Sequence, residues 1–454
     1  MLILLVAALG LIGWVSARAR AGKFANVGRD RPHSLANYHG WYVALWVVVP
    51  ALLFISVWAM ISPGLTMDAV LSDPAAKALP ANPMERNSVL SEVQGLADGS
   101  LPGAFNPSSV ALVGPYKAAS QRFALTGLAL SLILAFAGGA YAYTRIKPDF
   151  RARTRVERVV MLSLLIASLI AILTTIGIVA SLLLESARFF SMVSPLKFLT
   201  GLEWSPQSMA NSGADDAFGA VPLFWGTVFI GAIIAMIVAV PLGLMSAIYL
   251  TQYAAPNVRK WMKPLLEILA GVPTVVYGYF AALTVAPRVR DLAALMGMDN
   301  PSSESALAAG AVMGIMIIPF VSSMADDSIA AVPQSMRDGS LAMGATKSET
   351  IRKVLLPAAL PGVVGGVLLA VSRAIGETMI VVMAAGLAAN MTANPFESVT
   401  TVTTQIVQLL TGDQEFDSAK TLAAFALGLV LFVVTLTLNI VALRVVKKYR
   451  EAYD

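Results

Sequence analysis

Long apolar runs separated by shorter polar segments dominate the chain. A transmembrane helix needs about 20 consecutive apolar residues, and most of the runs meet that length. They do not alternate with period two, as the strands of a membrane barrel would. The pattern therefore predicts an all-α, polytopic helical membrane protein with nine spans. The predicted spans are residues 1–15, 41–61, 123–143, 159–184, 222–250, 263–285, 306–328, 360–386 and 422–446.

The composition fits a membrane protein and excludes several other classes. Of the 454 residues, 57% are apolar and 13% are charged, a balance that no large soluble core requires. The chain has no cysteine, which excludes disulfides and thiolate chemistry, and we expect no cofactor. His33 and His39 fall in one basic segment that we predict to be a loop. No P-loop, GxSxG or HExxH sequence is present, so the chain has neither its own ATP site nor an enzyme motif.

The distribution of basic residues predicts the orientation in the membrane. Successive polar segments lie on opposite sides of the membrane. Of the 32 lysines and arginines, 22 lie on the side that the chain reaches after the first span, and 9 lie on the other side. Positive residues favour the cytoplasmic side, so we place the N-terminus outside and the C-terminus in the cytoplasm. The first span precedes its positive residues, which fits an uncleaved span or a half-inserted helix better than a secretory signal. The basic segment 145–158 fits an inside loop better than a nucleic-acid contact.

The spans divide the chain into two predicted parts. Residues 1–158 hold three spans and an outside loop, 62–122, which is long enough for an insert of one or two helices. The best candidate for such a helix is 87–95. Residues 159–454 hold six spans that start and end inside. Nothing in the first part selects between stabilising a complex, binding a partner and regulation.

A polar helical hairpin is predicted in the inside segment 329–358. Ser335 and Asp338 have the spacing of a capping box, which predicts a helix from Met336. Gly344 can then end this helix in the left-handed conformation. The segment therefore turns back on itself at the glycine.

The second helix of the hairpin follows directly. Thr346 and Glu349 form another capping box, which predicts a helix from Lys347. Pro357 and Pro361 are expected to end that helix and open the next span. A rigid polar hairpin between two spans has the shape to dock onto a soluble partner.

Arg373 is the one basic residue well inside a predicted span. A charge at that depth is costly unless it is paired or hydrated, which makes a functional role the default hypothesis. Glu377 lies four residues on, on the same predicted helical face, and can neutralise it. The pair is either a structural lock between spans or a site where Arg373 offers paired donors to an oxyanion. Thr378 can add a hydroxyl donor or cap its own helix.

Five further positions have competing interpretations. Glu267 is either an acid at the membrane interface or a transport residue. Pro273 is expected to kink its helix, and Tyr277 is expected to serve in packing. Asp326 and Asp327 are expected to cap their helix or contact the hairpin, because an anion path disfavours two clustered acids.

The hairpin sequence resembles the EAA loop of ABC importer permeases. That loop has a Glu-Ala-Ala triplet, a glycine four residues later and Ile-x-Leu-Pro ten residues beyond the glycine. The spacing of the glycine and of the Leu-Pro pair matches, whereas the triplet differs. The corresponding residues here are Asp338-Gly339-Ser340, Gly344 and Val354-x-Leu356-Pro357.

Two other stretches resemble the phosphate-importer branch of that family. They are RAIGETM at 373–379 and LEILAGVPTVVYGYF at 266–280. The methionine after Gly-Glu-Thr resembles the C-type permease subunit (PstC) more than the A-type (PstA). The resemblance covers roughly residues 159–454.

The resemblance implies a type I ABC importer permease core of six spans, preceded here by three extra spans, in a bacterial inner membrane. It implies a non-catalytic permease subunit of an ATP-driven importer of inorganic phosphate. The implied partners are an ABC ATPase dimer that binds the ATP, a second, PstA-like permease, a periplasmic phosphate-binding protein and membrane lipid. The implied phosphate path comprises Arg373, Glu377 and Thr378. The implied ATPase-coupling residues are Asp338, Gly339, Ser340, Gly344 and Pro357.

Other functions are also compatible with the residues. A permease for another oxyanion, such as sulfate or molybdate, is the nearest alternative. A stand-alone secondary anion transporter would predict internal repeats and several intramembrane acids. A membrane sensor or scaffold could use 62–122 as its receptor. The GxxxG spacing of Gly362 and Gly366 permits close helix packing, which we interpret as a contact between two permeases.

Overall fold

The computed structural model describes most of the chain. The described residues are 2–26, 33–80, 82–207, 217–298, 301–411 and 418–449. Arg29, Arg31 and Arg450, which contribute to the charge count, lie outside these ranges. Within the ranges, the one β pairing is an isolated bridge between Trp204 and Phe218, so the all-α prediction is confirmed.

The chain forms two compact units, Met1–Leu173 and Thr174–Asp454. The first contains α1 (Leu2–Gly22), α2 (Ala36–Leu71), α3 (Pro83–Asp98) and α4 (Pro107–Thr144). Helix α5 (Ala152–Met192) runs through the boundary. The second unit continues with α6 (Pro195–Thr200), α7 (Val221–Tyr253), α8 (Pro256–Gly271), α9 (Thr274–Leu295), α10 (Ala306–Ala330), α11 (Gln334–Ala342), α12 (Lys347–Ile375), α13 (Met379–Ala384), α14 (Val402–Leu410) and α15 (Ala419–Tyr449).

Eight of the described helices are long and apolar enough to cross a membrane. They are α1, α2, α4, α5, α7, α10, α12 and α15. The helices α8 and α9 pass the same test together, and counting this bent pair as one span gives nine. Each of the nine predicted spans overlaps one of the eight helices or the bent pair.

Helices α1, α2 and α4 pack around a shared apolar core in the first unit. Val43, Val47 and Ala135 are buried in it. The closest approach is at Gly138, where an added Cβ atom would lie 2.1 Å from the carbonyl oxygen of Trp46. A glycine at this position allows the backbones of α2 and α4 to meet.

The predicted loop 62–122 is shorter in the structure. Helix α2 continues to Leu71, and α4 begins at Pro107. His39 is fully buried inside α2, so its assignment to a loop is wrong. Hydropathy marks the most apolar part of a helix, whereas neighbouring helices can support more polar or proline-containing turns beyond it. Pro63, which lies within α2, is such a case.

Helix α3 lies in the remaining connection and contains the predicted helix 87–95. The carboxylate of Glu92 accepts the backbone N–H groups of Phe105 and Asn106, the latter at 3.1 Å. Burial raises the pKa of Glu92, but these hydrogen bonds outweigh it and hold the pKa below its usual 4.5. The acid therefore fastens α3 to the segment that leads into α4.

The predicted span 263–285 is broken into two helices. Helices α8 and α9 meet at an angle of 86°. Val272 between them is extended, with φ −67° and ψ 130°. Pro273 disfavours helical geometry in the residue before it and lacks the N–H that would continue the helix. Pro273 was expected to kink one span. It interrupts the helix, as expected, but the result is a sharp break between two helices.

Pro357 and Pro361 do not end the second helix of the hairpin, so that prediction is wrong. Helix α12 runs through both prolines, with one π-helical turn at Ile351–Leu355. This wider turn places Pro357 at the start of a new α-helical segment, where a missing N–H costs little. The predicted span 360–386 also ends early, because α12 stops at Ile375.

Gly362 and Gly366 pack α12 against α10 of the same chain. An added Cβ atom would lie 2.5 Å from Ser328 Oγ at the first glycine and 2.7 Å from Met324 Cβ at the second. The close packing that GxxxG predicts is present. Its interpretation as a contact between two permeases is wrong, because α10 already occupies this face.

We predict that the Glu92 contact is lost in acid. Because the folded pKa is depressed, the contact stabilises the protein above pH 4.5 and the stabilisation disappears as the pH falls through the lowered value. The exchange protection factors of the Phe105 and Asn106 amides, which correct for the intrinsic pH dependence of exchange, should fall over that interval. Glu92→Gln keeps a neutral acceptor and should show lower protection that does not change with pH, whereas Glu85→Gln, an exposed change in α3, should behave as wild type. Protection that depends on neither pH nor Glu92 would contradict this.

We predict that Gly366→Ala destabilises the second unit. The added methyl group overlaps Met324, and overpacking of this kind typically costs about 1–3 kcal/mol. Thermal unfolding of the purified chain should show a lower midpoint. Gly177→Ala in α5 is the control, because no heavy atom lies within 4 Å of its added Cβ. Equal midpoints for the two variants would show that α10 and α12 can separate freely.

Candidate functional site

The polar hairpin is formed by α11 and the first turns of α12. Gly344 has φ 88°, which confirms the left-handed end of the first helix. Thr346 Oγ1 accepts the N–H of Glu349 at 3.3 Å, and the Glu349 carboxylate accepts the N–H of Thr346 at 3.0 Å. The second capping box is therefore confirmed. Ser340 and Thr350 tie the two helices together through a hydroxyl contact of 3.0 Å.

The first capping box is not formed. Helix α11 begins at Gln334 with Pro333 at its N-cap and without a side-chain cap. Proline fixes the backbone angle at that point, so the helix starts before Ser335 can cap it. The helix nevertheless places Asp338 on the exposed surface of the hairpin.

The tip of the hairpin is an open surface with an apolar residue that the sequence did not single out. Met343 is 90% exposed directly before Gly344. A Cβ atom added to Gly339 or Gly344 would meet no heavy atom within 4 Å. Packing inside the chain therefore does not require Gly339. An exposed methionine beside open glycines is suited to insertion into a groove of another protein.

A cleft lies between α7, α8, α10 and α12 in the second unit. Its volume is about 260 Å³, just below the usual range for drug-sized ligands, so it suits a small solute or ion. Its polar lining residues are Lys263, Glu267, Ser322, Ser323, Asp326 and Arg373. Three helices that are distant in sequence thus bring charged and hydroxyl groups to one place.

Arg373 presents an available guanidinium to this cleft. Its carbon Cζ lies 5.9 Å from the ring centre of Phe320, which also lines the cleft. Among the described residues, no carboxylate lies within 4.0 Å of the guanidinium. The interpretation of Arg373 as half of a structural ion pair therefore has no support in the geometry. Its five donors are free to meet an anion.

Asp326 is already neutralised by the neighbouring helix. Lys263 Nζ lies 2.8 Å and Arg259 Nη2 3.3 Å from its carboxylate oxygens. The expectation that Asp326 caps its helix or contacts the hairpin is therefore wrong. Sequence spacing could not place α8 against α10, because the other half of the broken span, α9, separates them in the chain. With this acid paired, Arg373 and Glu267 are the cleft's charged groups that lack a salt bridge within the described chain.

Comparisons with known proteins identify the architecture. Residues 239–451 match a family model described as the inner membrane component of binding-protein-dependent transport systems. Residues 3–174 match a model described as a phosphate ATP-binding cassette transporter. The probable ABC transporter permease protein YqgH of Bacillus subtilis is 33% identical over 270 residues, which cover 59% of this chain and 84% of the relative. This chain belongs to the ABC transporter permease family.

Other relatives of the permease are similar over comparable lengths. The phosphate transport system permease protein PstC of Mesorhizobium japonicum is 31% identical over 290 residues, covering 61% of the permease and 86% of the relative. An inward-facing structure of the MetNI methionine ABC transporter has 18% identity and a TM-score of 0.38, and the match covers 51% of the permease and 96% of that chain.

Glu377 and Thr378 do not line the cleft of the permease. Helix α12 ends at Ile375, before Glu377. Among the described residues no ion pair joins Glu377 to Arg373, so the predicted pairing of the two is wrong. Gly376 is the residue at which the helix ends. Glu377 instead accepts the N–H of Met379 at 3.2 Å.

The segment around Thr378 connects α12 to the short helix α13 of the permease. Thr378 Oγ1 donates to the carbonyl of Gly376 at 3.4 Å, which matches its interpretation as a local backbone contact. Thr403 Oγ1, from α14, donates to the carbonyl of Glu377 at 2.8 Å. These contacts fix the chain directly after Arg373.

Several residues of the cleft were not singled out from the sequence. Ser322 and Ser323 precede Asp326 by four and three positions, so all three share one face of α10. A polar stripe of this kind in an apolar helix was a signal that could have revealed the cleft wall. Tyr277 was expected to pack, and it is buried with its hydroxyl donating to the carbonyl of Leu269 at 2.7 Å.

Proposed function

We propose that the permease conducts inorganic phosphate as the membrane subunit of an ATP-driven importer. The observation that carries this proposal is the position of Arg373 in a small cleft that also holds hydroxyl groups. Its guanidinium has no carboxylate partner among the described residues. Guanidinium groups bind phosphate through two parallel hydrogen bonds. The family model at residues 3–174 and the relatives named PstC support phosphate as the anion.

The cleft combines affinity with release. Glu267 shares the cleft with Arg373, and the two carry opposite charges. A phosphate held by the arginine is repelled by this carboxylate, which limits the residence time of the anion. Ser322 and Ser323 supply hydroxyl groups that can donate to phosphate oxygens. A transport site needs this balance, because an anion that binds too tightly does not leave.

The hairpin is the proposed contact with the motor. Asp338, Gly339 and Ser340 lie on α11, and Gly344 forms the turn beside the exposed Met343. In this assignment an ABC ATPase dimer binds the ATP, and the permease contributes no catalytic residue. We include Pro357 among the residues that couple the permease to the ATPase. It lies where α12 resumes after its π turn.

The remaining partners follow from the same proposal. A second, PstA-like permease would complete the path, and a periplasmic phosphate-binding protein would deliver phosphate. The hairpin would face the cytoplasm, and the N-terminus would lie outside the inner membrane. The bias of basic residues towards the hairpin side supports this orientation.

We predict that Arg373→Gln abolishes phosphate uptake. Loss of a charge-assisted contact worth about 1.5–3 kcal/mol lowers affinity at least tenfold. The measurement is uptake of labelled phosphate in cells that depend on this importer, with co-purification of the ATPase to show assembly. Arg290→Gln, which removes an arginine outside the cleft, should transport normally. Normal phosphate uptake by Arg373→Gln would refute the anion site. If the variant lost sulfate or molybdate uptake and kept phosphate uptake, the transported anion would be sulfate or molybdate.

We predict that Gly344→Val uncouples ATP hydrolysis from transport. A β-branched residue at φ 88° is strained by about 1–2 kcal/mol, so the hairpin turn must rearrange. In the reconstituted complex, ATPase stimulation by the loaded binding protein should fall while the permease stays folded. Gly297→Val is the matched control, because Gly297 has φ 84° and equally open surroundings but follows α9. Unchanged stimulation in Gly344→Val would place the docking site elsewhere.

A further inference from the structure

The first unit contains a cavity of about 680 Å³ that the transport proposal does not use. It lies between α2, the segment that follows α4, and the first turns of α5. The charged and aromatic residues that line it include Tyr42, Trp46, Asp149, Arg151, Arg155 and Arg158. All of them belong to the unit Met1–Leu173.

Positive charge dominates this cavity. Arg151, Arg155 and Arg158 line it. Arg151 directly precedes α5, and Arg155 and Arg158 lie three positions apart on one face of that helix. Asp149 is the single acidic residue of the lining. Within the described ranges, none of the three guanidinium groups has a carboxylate within 4.0 Å. The excess of unpaired positive charge is confined to the arginines that line the cavity. The neighbouring Arg153 does not line it and forms an ion pair with Glu157 at 2.6 Å.

A buried hydroxyl without a partner lies at the same cavity. Tyr42 is only 4% exposed, and its Oη atom has no hydrogen-bond partner among the residues that the structure describes. Its ring packs edge-on against Phe150 at 4.8 Å, so the side chain is held in place. The hydroxyl oxygen itself is enclosed by its neighbours, so Tyr42 contributes its ring to the wall of the cavity.

The rest of the wall is apolar or aromatic. Leu45 and Val159 line the cavity beside Trp46, which is 38% exposed. Directly after Val159, the side chains of Val160 and Met161 are 46% and 70% exposed. Tryptophan and arginine at the end of an apolar helix are typical of the interface between headgroups and acyl chains. The cavity therefore offers cations to a headgroup and an apolar border to its chains.

We propose that this cavity binds the phosphate of an acidic phospholipid headgroup. The arginines provide bidentate donors for phosphate oxygens. Basic pockets between membrane helices select anionic lipids in this way. The site is separate from the cleft at Arg373 and does not depend on which anion is transported. Binding of an acidic phospholipid would give the first unit of the permease a role in holding the protein to the membrane surface.

The test is lipid retention by the full-length permease. The chain is purified, given phosphatidylglycerol or phosphatidylcholine in detergent, and bound lipid is counted by native mass spectrometry. Wild type should retain phosphatidylglycerol in preference to phosphatidylcholine. Each surface arginine contributes about 1 kcal/mol to such binding, so Arg155→Gln/Arg158→Gln should lower the retention about 25-fold.

A matched control variant distinguishes binding at this site from a general effect of removing positive charge. Arg145→Gln/Arg153→Gln removes the same charge from the same basic segment, and neither of these residues lines the cavity. It should retain phosphatidylglycerol as wild type does, and equal retention or equal loss in both double variants would overturn the proposal. If the first double variant does not fold, Arg155→Gln alone carries the comparison against Arg153→Gln. Displacement of the lipid by inorganic phosphate, but not by chloride of equal ionic strength, would overturn the lipid assignment in favour of a free anion.

Discussion

Backbone N–H and C=O groups in a bilayer must bond within the protein, and this requirement shapes the whole permease. It makes helices the default and restricts irregular backbone to places where other parts of the chain or a polar cavity support it. The main irregularities follow that rule. The break at Val272 follows α8, which forms one wall of the cleft. The end of α12 at Ile375 comes directly after Arg373 and is held by the hydroxyl of Thr403. Departures from helix therefore occur close to the residues that we assign to the anion.

Charge is used differently in three parts of the permease. In the cleft, Asp326 is paired across helices with Lys263, which leaves Arg373 available. At the hairpin, ionic and polar contacts are local and shape two short helices, as the reciprocal cap of Thr346 shows. In the first unit, three arginines line a cavity beside a buried tyrosine. A charge is informative here when its own chain leaves it unpaired, because isolated charges near lipid are costly and persist only for a reason.

Glycine marks the contacts that permit little variation. Gly138 and Gly366 are positions where a single Cβ atom would collide with a neighbouring helix. Gly339 and Gly344 have open surroundings, so their value must come from the turn or from a partner. This contrast separates glycines that serve internal packing from glycines that serve an outer surface. The GxxxG pair on α12 belongs to the first group, although its spacing alone suggested the second.

The sequence by itself determined the all-α membrane class, the approximate positions of the apolar helices, the turn at Gly344 and the cap at Thr346. These features depend on local hydrophobicity and on backbone preferences within a few residues. Only the tertiary structure decided that Arg373 shares a cleft with Glu267 rather than pairing with Glu377, and that Asp326 is neutralised by Lys263. Those outcomes depend on where helices end and which helices become neighbours. Both are set by long-range packing, such as the approach of α12 to α10 at Gly366, which no local pattern contains.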